Sequence, residues 1–379
     1  MIYLGIMGMI DPPREQAKRA VADCTRAGIR VVMLTGDHIR TASAIARQTG
    51  IPHAECAMTG AELDRIPDEE LPGILRKYAV FARVTPAHKL RLVRAFRKMG
   101  MIAAMTGDGV NDAPAVKEAD IGVAMGKNGT DVTRQAADII LLDDRFDTLA
   151  AAVTQGRTVY ANIRKFVRYL LACNIGEVLT MFLGILMGLP MVLLPTQILL
   201  VNLLTDGLPA VALGTEPPAP DIMRQKPRAA DESFFAGGLL SRIVFRGIFI
   251  ALSTLGAFTT VLRMSGSVSN ARTAALMTLI CSQLLHVFEC KQEDGTLFNV
   301  PYFSNGKLVL AVLTSAAVTA AAIIIPALQS IFSTVRLPLP QMMTAFLFSF
   351  AVPLCASFAA VFTPGEQAAE ACTQIRCNR

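Results

Sequence analysis

The chain has 379 residues, of which 53% are hydrophobic, a mean hydropathy of +0.45 and a formal net charge of +6. That length and apolar fraction exclude a single ordinary soluble domain and predict a part that lies in lipid. The positive charge does not point to nucleic acid, because no Lys/Arg-rich run is interleaved with aromatics and many basic residues flank apolar segments instead.

Charged residues concentrate before about residue 165, so a soluble head is expected to precede a membrane block. The opening "MIYLGIMGMIDPPR" reaches an acidic turn without a basic leader, which is not the pattern of a signal peptide. "GIRVVMLTGD" (28–37) reads as a β-branched strand ending in a polar turn, and "HIRTASAIARQTG" (38–50) as a helix closed by Gly50. "AVFARVTPAHKLRLVRAFRKMG" (79–100) predicts strand, turn and helix, and "MIAAMTGDGVNDAPAVKEA" (101–119) repeats that order. "DIGVAMG" and "ADIILLDD" read as two further short strands. This alternation predicts a parallel sheet covered on both faces, with ligands at the carboxyl ends of its strands.

Two of those ends carry the same tripeptide, Thr35-Gly36-Asp37 and Thr106-Gly107-Asp108. A Thr hydroxyl with a following Gly amide suits a phosphate oxygen, and Lys89 at the next helix start suits the same charge. Asp108 and Asp112 form a carboxylate pair of the kind Mg²⁺ takes beside phosphate and water. One Thr-Gly-Asp also makes ordinary turns; two of them, with the lysine between and Asn111-Asp112 after, are far more specific.

Six apolar stretches follow, 169–189, 192–214, 243–262, 274–290, 308–327 and 342–363, each near the ~20 residues that span a bilayer as a helix. Arg157, Arg164, Lys165 and Arg168 precede the first, and Arg224, Lys226, Arg228 and Arg242 lie between the second and third. This bias predicts a cytoplasmic head, a cytoplasmic second loop and a C-terminus on the same side. Asn174 and Glu177 stand three apart in one span, and Asn202, Thr205 and Asp206 at i, i+3 and i+4 in the next, each set on one helical face. Their oxygens and two negative charges, without nitrogen or sulfur, suit a hard cation such as calcium. Gly207 and Pro209 predict a weakened helix there that frees backbone carbonyls. The competing reading is hydrogen bonding between helices, which a lone Asn or Thr commonly provides. Gln283, His286 and Glu289 recur at helical spacing in the fourth span; Gln283 is the best further ligand candidate, Glu289 falls near the water interface, and His286 is also explained by packing. The eight cysteines (Cys24, Cys56, Cys173, Cys281, Cys290, Cys355, Cys372, Cys377) form no CxxC pair and no zinc spacing, which predicts reduced thiols.

"DPPR" (11–14), "MLTGD" (33–37), "ARVTPAHK" (82–89), "MTGDGVNDAPA" (105–115) and "IGVAMGKNGTDVTRQAADIILLDDRF" (121–146) resemble the phosphorylation domain of P-type cation-transporting ATPases, which is haloacid dehalogenase-like. "NIGEV" and "NLLTDGLPA" resemble their fifth and sixth transmembrane segments, in the calcium-pump branch. The resemblance implies a Rossmann-like α/β haloacid dehalogenase-like partial phosphorylation domain followed by an all-α six-helix transmembrane domain. The expected division is 1–10 as the end of the nucleotide-binding domain and hinge, 11–155 as the partial phosphorylation domain, 156–364 as the membrane domain and 365–379 as a cytoplasmic tail.

By the same resemblance Asp108 is a magnesium ligand supported by Asn111 and Asp112, and Thr35, Gly36 and Lys89 hold the transferred phosphoryl of ATP beside Asp37. Asn174, Glu177, Asn202, Thr205 and Asp206 match calcium ligands. Gln283 falls where two-site pumps carry a glutamate, a departure compatible with a single ion per cycle that leaves the number carried open. The sequence contains no DKTGT motif, whose Asp is the family's nucleophile, and no TGE or PEGL motif. The expected partners are therefore the actuator domain, the nucleotide-binding domain and the first four membrane helices, together with a lipid bilayer, in the plasma membrane. The rival readings are a catalytically dead remnant, a cation-binding membrane module, and a pump for Na, K or H.

Overall fold

The computed structural model describes residues 12–292 and 298–362, without the side chains of 352, 353 and 355–362. Residues 1–10, Asp11 of the DPPR motif and the tail 365–379 lie outside the described residues. The chain divides into two compact units: the described residues up to Arg157 together with Pro218–Glu232, and Thr158–Pro217 together with the described residues from Ser233 on.

In the first unit helices and short strands alternate. The order is α1 (Glu15–Arg26), β1 (Met33–Leu34), α2 (Ile39–Thr49), β2 (Ala57–Thr59), α3 (Gly60–Leu63), α4 (Leu71–Lys77) and β3 (Val80–Ala82). It continues with α5 (Pro86–Lys98), β4 (Ala104–Gly107), α6 (Ala113–Glu118), β5 (Ile121–Met125), α7 (Asp131–Ala136) and β6 (Ile139–Leu141). Gly50 ends α2 at φ 80°, a conformation that glycine adopts without a Cβ penalty. All pairings are parallel, as the alternation predicts, but the strands form two three-stranded sheets, β1-β3-β2 and β4-β5-β6, rather than one. The reason is that among the described residues β1 pairs only with β3 and β4 only with β5. The two sheets are held side by side by packing: Leu34 of β1 lies against the cluster that contains Val93, Met105 and Val116. The stretch that forms β2, α3 and α4 gave no sequence signal, since Pro52, Pro67 and Pro72 break its period. A capping box starts α3 there: Thr59 N donates to Glu62 Oε2 at 2.7 Å, and Glu62 N to Thr59 Oγ1 at 3.3 Å.

α8 (Phe146–Leu186) is one unbroken helix of 41 residues that continues into the second unit. It is followed by α9 (Pro195–Leu200), a π-helical turn at Val201–Asp206 and α10 (Gly207–Leu213). α11 (Leu239–Ser265), α12 (Val268–Glu289), α13 (Gly306–Ile324), α14 (Pro326–Phe332) and α15 (Leu339–Phe362) complete it. Among the described residues five helices are long and apolar enough to cross a membrane: α8, the Pro195–Leu213 run, α11, α12 and α13. The sixth expected span, 342–363, falls on α15, of which Leu339–Ala351 is described as apolar.

The irregularity expected at Gly207 and Pro209 lies one turn earlier, and both of those residues sit within regular α10. Pro209 has no N–H to give the carbonyl of Thr205, and the turn that precedes it widens. The Leu204 carbonyl within the wide turn accepts instead from Ser315 Oγ at 3.1 Å.

Candidate functional site

The first unit gathers its candidate residues at the carboxyl ends of β1 and β4. Thr35 follows β1; its Oγ1 donates to Asp37 Oδ2 at 3.0 Å and accepts from Asp37 N at 3.1 Å, which folds Thr35-Gly36-Asp37 into a tight turn. Gly36 and Asp37 are exposed. α5 begins at a capping box: Thr85 Oγ1 accepts from His88 N at 3.4 Å and Thr85 N donates to His88 Nδ1 at 3.1 Å. His88 Nε2 is in turn 2.7 Å from Asp64 Oδ1. This locked first turn aims Lys89, whose Nζ donates to Asp112 Oδ1 at 2.5 Å.

Asp112 is buried, while Asp108 and Asn111 are exposed at the end of β4. The loop between them is pinned from α7: Thr130 N donates to the Asp108 carbonyl at 2.9 Å and Thr133 Oγ1 to that of Gly109 at 2.8 Å. Gly107 is required here because a Cβ would lie 2.5 Å from Asp112 Cβ. The backbone of β4 thus passes directly against the carboxylate that Lys89 holds. A buried carboxylate with its lysine, an exposed carboxylate one turn away and two polar turns make a site for a phosphate group with a divalent cation.

The second unit brings four of the six candidate cation ligands into one network. Glu177 on α8 accepts from Asn202 Nδ2 at 3.1 Å and from Gln283 Nε2, on α12, at 2.9 Å. The same Nε2 lies 3.3 Å from Asp206 Oδ2, so the two carboxylates share one donor. Thr205 is buried and donates to the Val201 carbonyl at 2.8 Å within its own helix. Asn174 is exposed whereas Glu177 is buried, so the structure does not place Asn174 in this network. The Gln283 amide oxygen is buried and has no hydrogen-bond partner among the described residues, which leaves an acceptor for a cation beside the two carboxylates.

Tyr169 completes the network and was not anticipated. It is fully buried, and its hydroxyl donates to Asp206 Oδ1 at 3.2 Å. Its signal in the sequence is spacing: Tyr169, Cys173 and Glu177 follow one another at intervals of four, one face of α8. Glu289, expected near the water interface, is 1% exposed within the protein and ion-paired with Arg246 of α11, and His286 Nδ1 lies 3.0 Å from its Oε2. Burial without a partner would be costly for either charge, so the pair binds α11 to α12. The five described cysteines, Cys24, Cys56, Cys173, Cys281 and Cys290, are free thiols.

Two family models match the chain: haloacid dehalogenase-like hydrolase over residues 2–120, and cation transporting ATPase, C-terminus, over residues 190–362. A calcium-transporting ATPase of Bacillus subtilis is 48% identical over 339 residues, 89% of this chain and 38% of the relative. Calcium-transporting ATPase 1 of Bacillus cereus is 44% identical over 356 residues, 89% of this chain and 40% of the relative. The endoplasmic reticulum calcium ATPase srcA of Aspergillus fumigatus is 38% identical over 373 residues, 89% of this chain and 38% of the relative. The chain belongs to the P-type cation-transporting ATPases. It spans about two-fifths of the length of these curated relatives and matches the C-terminal region of the pump family. Its first unit is the haloacid dehalogenase-like α/β part, and its apolar helices make it a membrane protein.

Proposed function

We propose that the chain is the phosphorylation-domain and membrane part of an ATP-driven calcium pump, completed by an actuator domain, a nucleotide-binding domain and four further membrane helices. The observation that carries this reading is the single Gln283 amide held between Glu177 and Asp206 in apolar helices. Two carboxylates buried together in a span repel each other and are costly unless a cation joins them. Glu177, Asp206, Asn202, Thr205 and Gln283 would hold the calcium ion as cargo, with Asn174 outside this network.

In the head, Lys89 and the Thr35-Gly36 turn would hold the phosphoryl group of ATP, with Asp37 shaping the turn. Asp108 would hold Mg²⁺, with Asn111 and Asp112 beside it. When bound, that ion neutralises charge on the phosphoryl oxygens. Lys89 neutralises Asp112 until phosphate arrives and can then turn to it. The nucleophilic Asp belongs to a DKTGT motif that this sequence does not contain, so phosphorylation requires the completing part. α8 carries Tyr169 and Glu177 on the same helix that begins at Phe146, which suits it to transmit the head's phosphorylation state to the cation. A cytoplasmic head fits the Arg and Lys flanking the first span, and the membrane proposed is the plasma membrane.

The test is ATP-dependent ⁴⁵Ca²⁺ uptake by vesicles that contain the completed pump. Asp206→Asn is expected to abolish uptake while phosphoenzyme still forms from inorganic phosphate. Undiminished calcium uptake by that variant would overturn the assignment. Uptake of sodium or potassium in place of calcium would favour the pump for another cation, and no uptake with intact folding the remnant.

A further inference from the structure

Just past α10 the second unit buries another carboxylate, that of Glu216, at 8% exposure. Its Oε2 accepts from Asn305 Nδ2 at 2.8 Å; its Oε1 accepts from Ser304 Oγ at 3.2 Å and lies 3.4 Å from Lys291 Nζ. Lys291, just past α12, is buried too, and donates to Ser304 Oγ at 2.7 Å and to the Pro301 carbonyl at 2.5 Å. From α8, Asn162 Nδ2 donates to the main-chain carbonyl of Glu216 at 2.7 Å. Asn305 works in two directions: its Oδ1 accepts from Leu308 N at 3.1 Å, capping α13, and its Nδ2 also reaches the Ala212 carbonyl in the last turn of α10 at 3.1 Å. Glu216 therefore joins α8, α10, α12 and α13.

Three of these helices hold the carboxylates and the amide of the cation network: α8 carries Glu177, α12 carries Gln283, and α10 starts directly after Asp206. At about 1.5 Å per residue, Gln283 stands ~9 Å from the end of α12 and Asp206 ~10 Å from the end of α10. Glu216 thus acts through the helices rather than on the ion. A buried ion pair stabilises little more than a well-packed apolar pair, and its best-attested use is to fix register. The Gln283 contact to Asp206 is already 3.3 Å, so a slip of one residue rise, about 1.5 Å, takes it beyond hydrogen-bond reach. α13 supplies a second point of attachment, because Ser315 holds the Leu204 carbonyl in the wide turn while Asn305 holds the far end of α10.

Taking Glu177, Asp206 and Gln283 as cation ligands, as above, we propose that Glu216 is a positioning residue of that site. Its carboxylate sets how α10 lies against α12 and α8, and so how far Asp206 stands from Gln283 and Glu177. Those separations decide which ionic radius the site accepts, so Glu216 governs selectivity as well as affinity.

The experiment measures equilibrium ⁴⁵Ca²⁺ binding by the full chain in detergent, its competition by Ba²⁺, and the melting temperature without calcium. Glu216→Leu with Lys291→Met removes both charges and fills their space, so the melting temperature is expected to stay near that of the unaltered protein. Calcium affinity is nevertheless expected to fall about tenfold, and the preference for calcium over barium to fall with it. Unchanged affinity and preference in that pair would make Glu216 a structural ion partner only and overturn the proposal. Glu216→Gln with Lys291→Met keeps the side-chain length and an acceptor for Asn305, and is expected to bind calcium within about threefold of the unaltered protein. A loss there equal to that of the apolar pair also overturns the proposal, and this arm stands even where the apolar pair does not fold. Asp206→Asn keeps two failures apart. Calcium binding that survives it removes the ligand reading and the proposal together, whereas binding lost in Asp206→Asn and untouched in the apolar pair overturns the role of Glu216 alone.

Discussion

Glu177 Oε1 lies 2.9 Å from Gln283 Nε2 across 106 residues of sequence, and the same nitrogen reaches Asp206. Removing that amide takes away the only group seen to bridge the two carboxylates among the described residues. Gln283→Leu is expected to lower cation affinity at least about tenfold, a loss of ~1.4 kcal/mol. Gln283→Glu is expected to add a third carboxylate and to make binding steeply dependent on pH. Calcium-dependent shifts of the melting temperature in detergent measure both. An unchanged shift in Gln283→Leu would exclude the amide from the site.

Tyr169→Phe keeps the ring in its packed position and deletes the hydroxyl that donates to Asp206. The cost in stability is expected to be about 1 kcal/mol, that of one hydrogen bond, and cation affinity is expected to move with it because Asp206 loses its anchor. A variant with altered stability and unaltered affinity would make Tyr169 a packing residue only.

In the head, Lys89→Met leaves Asp112 buried without its cation. The expected loss is about 3 kcal/mol of stability, read as a fall in the head's melting transition, with Lys89→Met/Asp112→Leu recovering most of it. Gly107→Ala strikes the same carboxylate from the other side, since its Cβ would meet Asp112 Cβ at 2.5 Å and Val116 Cγ2 at 3.0 Å. It is expected to cost about 1–3 kcal/mol and to weaken magnesium binding, which isothermal titration detects.

Asp144 gives a pH dependence. Its backbone has φ 54°, and its carboxylate accepts from Lys127 N at 3.0 Å and Asn128 N at 2.8 Å. Burial pushes its carboxyl up, but the N–H groups of Lys127, Asn128 and Gly126 outweigh it and hold the group below the usual carboxylate range. A group depressed in the folded state stabilises above its unfolded value, about 3.9, and that contribution is lost as pH falls through the folded value. Amide exchange of residues 126–128 is expected to accelerate below about pH 4. Asp144→Asn, which tolerates the left-handed conformation and keeps one acceptor, is expected to perturb the loop less than Asp144→Ala.

The alternation of strands and helices, the cap at Gly50 and the two Thr-Gly-Asp ends were legible because each rests on short-range chemistry. The split into two sheets was not, because strand pairing depends on neighbours distant in sequence, and nothing local in Met33–Leu34 says that one side has no partner strand among the described residues. Glu177 and Asp206 stood out as carboxylates in apolar surroundings. The difference between Asn174 and Glu177 was hidden because helical spacing of three puts residues on adjacent but not identical directions, and only packing decides which of them is covered. The wide turn was placed too late because Pro209 acts on the carbonyl four residues before it rather than on its own position. The Arg246–Glu289 pair escaped because its members sit on different helices.

The sides of β1 and β4 that carry no paired strand among the described residues have a practical consequence. Each presents a row of backbone donors and acceptors with no strand opposite among the described residues, which is the geometry on which foreign chains nucleate. Expressed without its complement, this protein should be prone to clump through its head rather than through its greasy helices, and a detergent chosen only to shield the latter will not keep it monodisperse. A short peptide able to add as a parallel strand would be the more effective stabiliser.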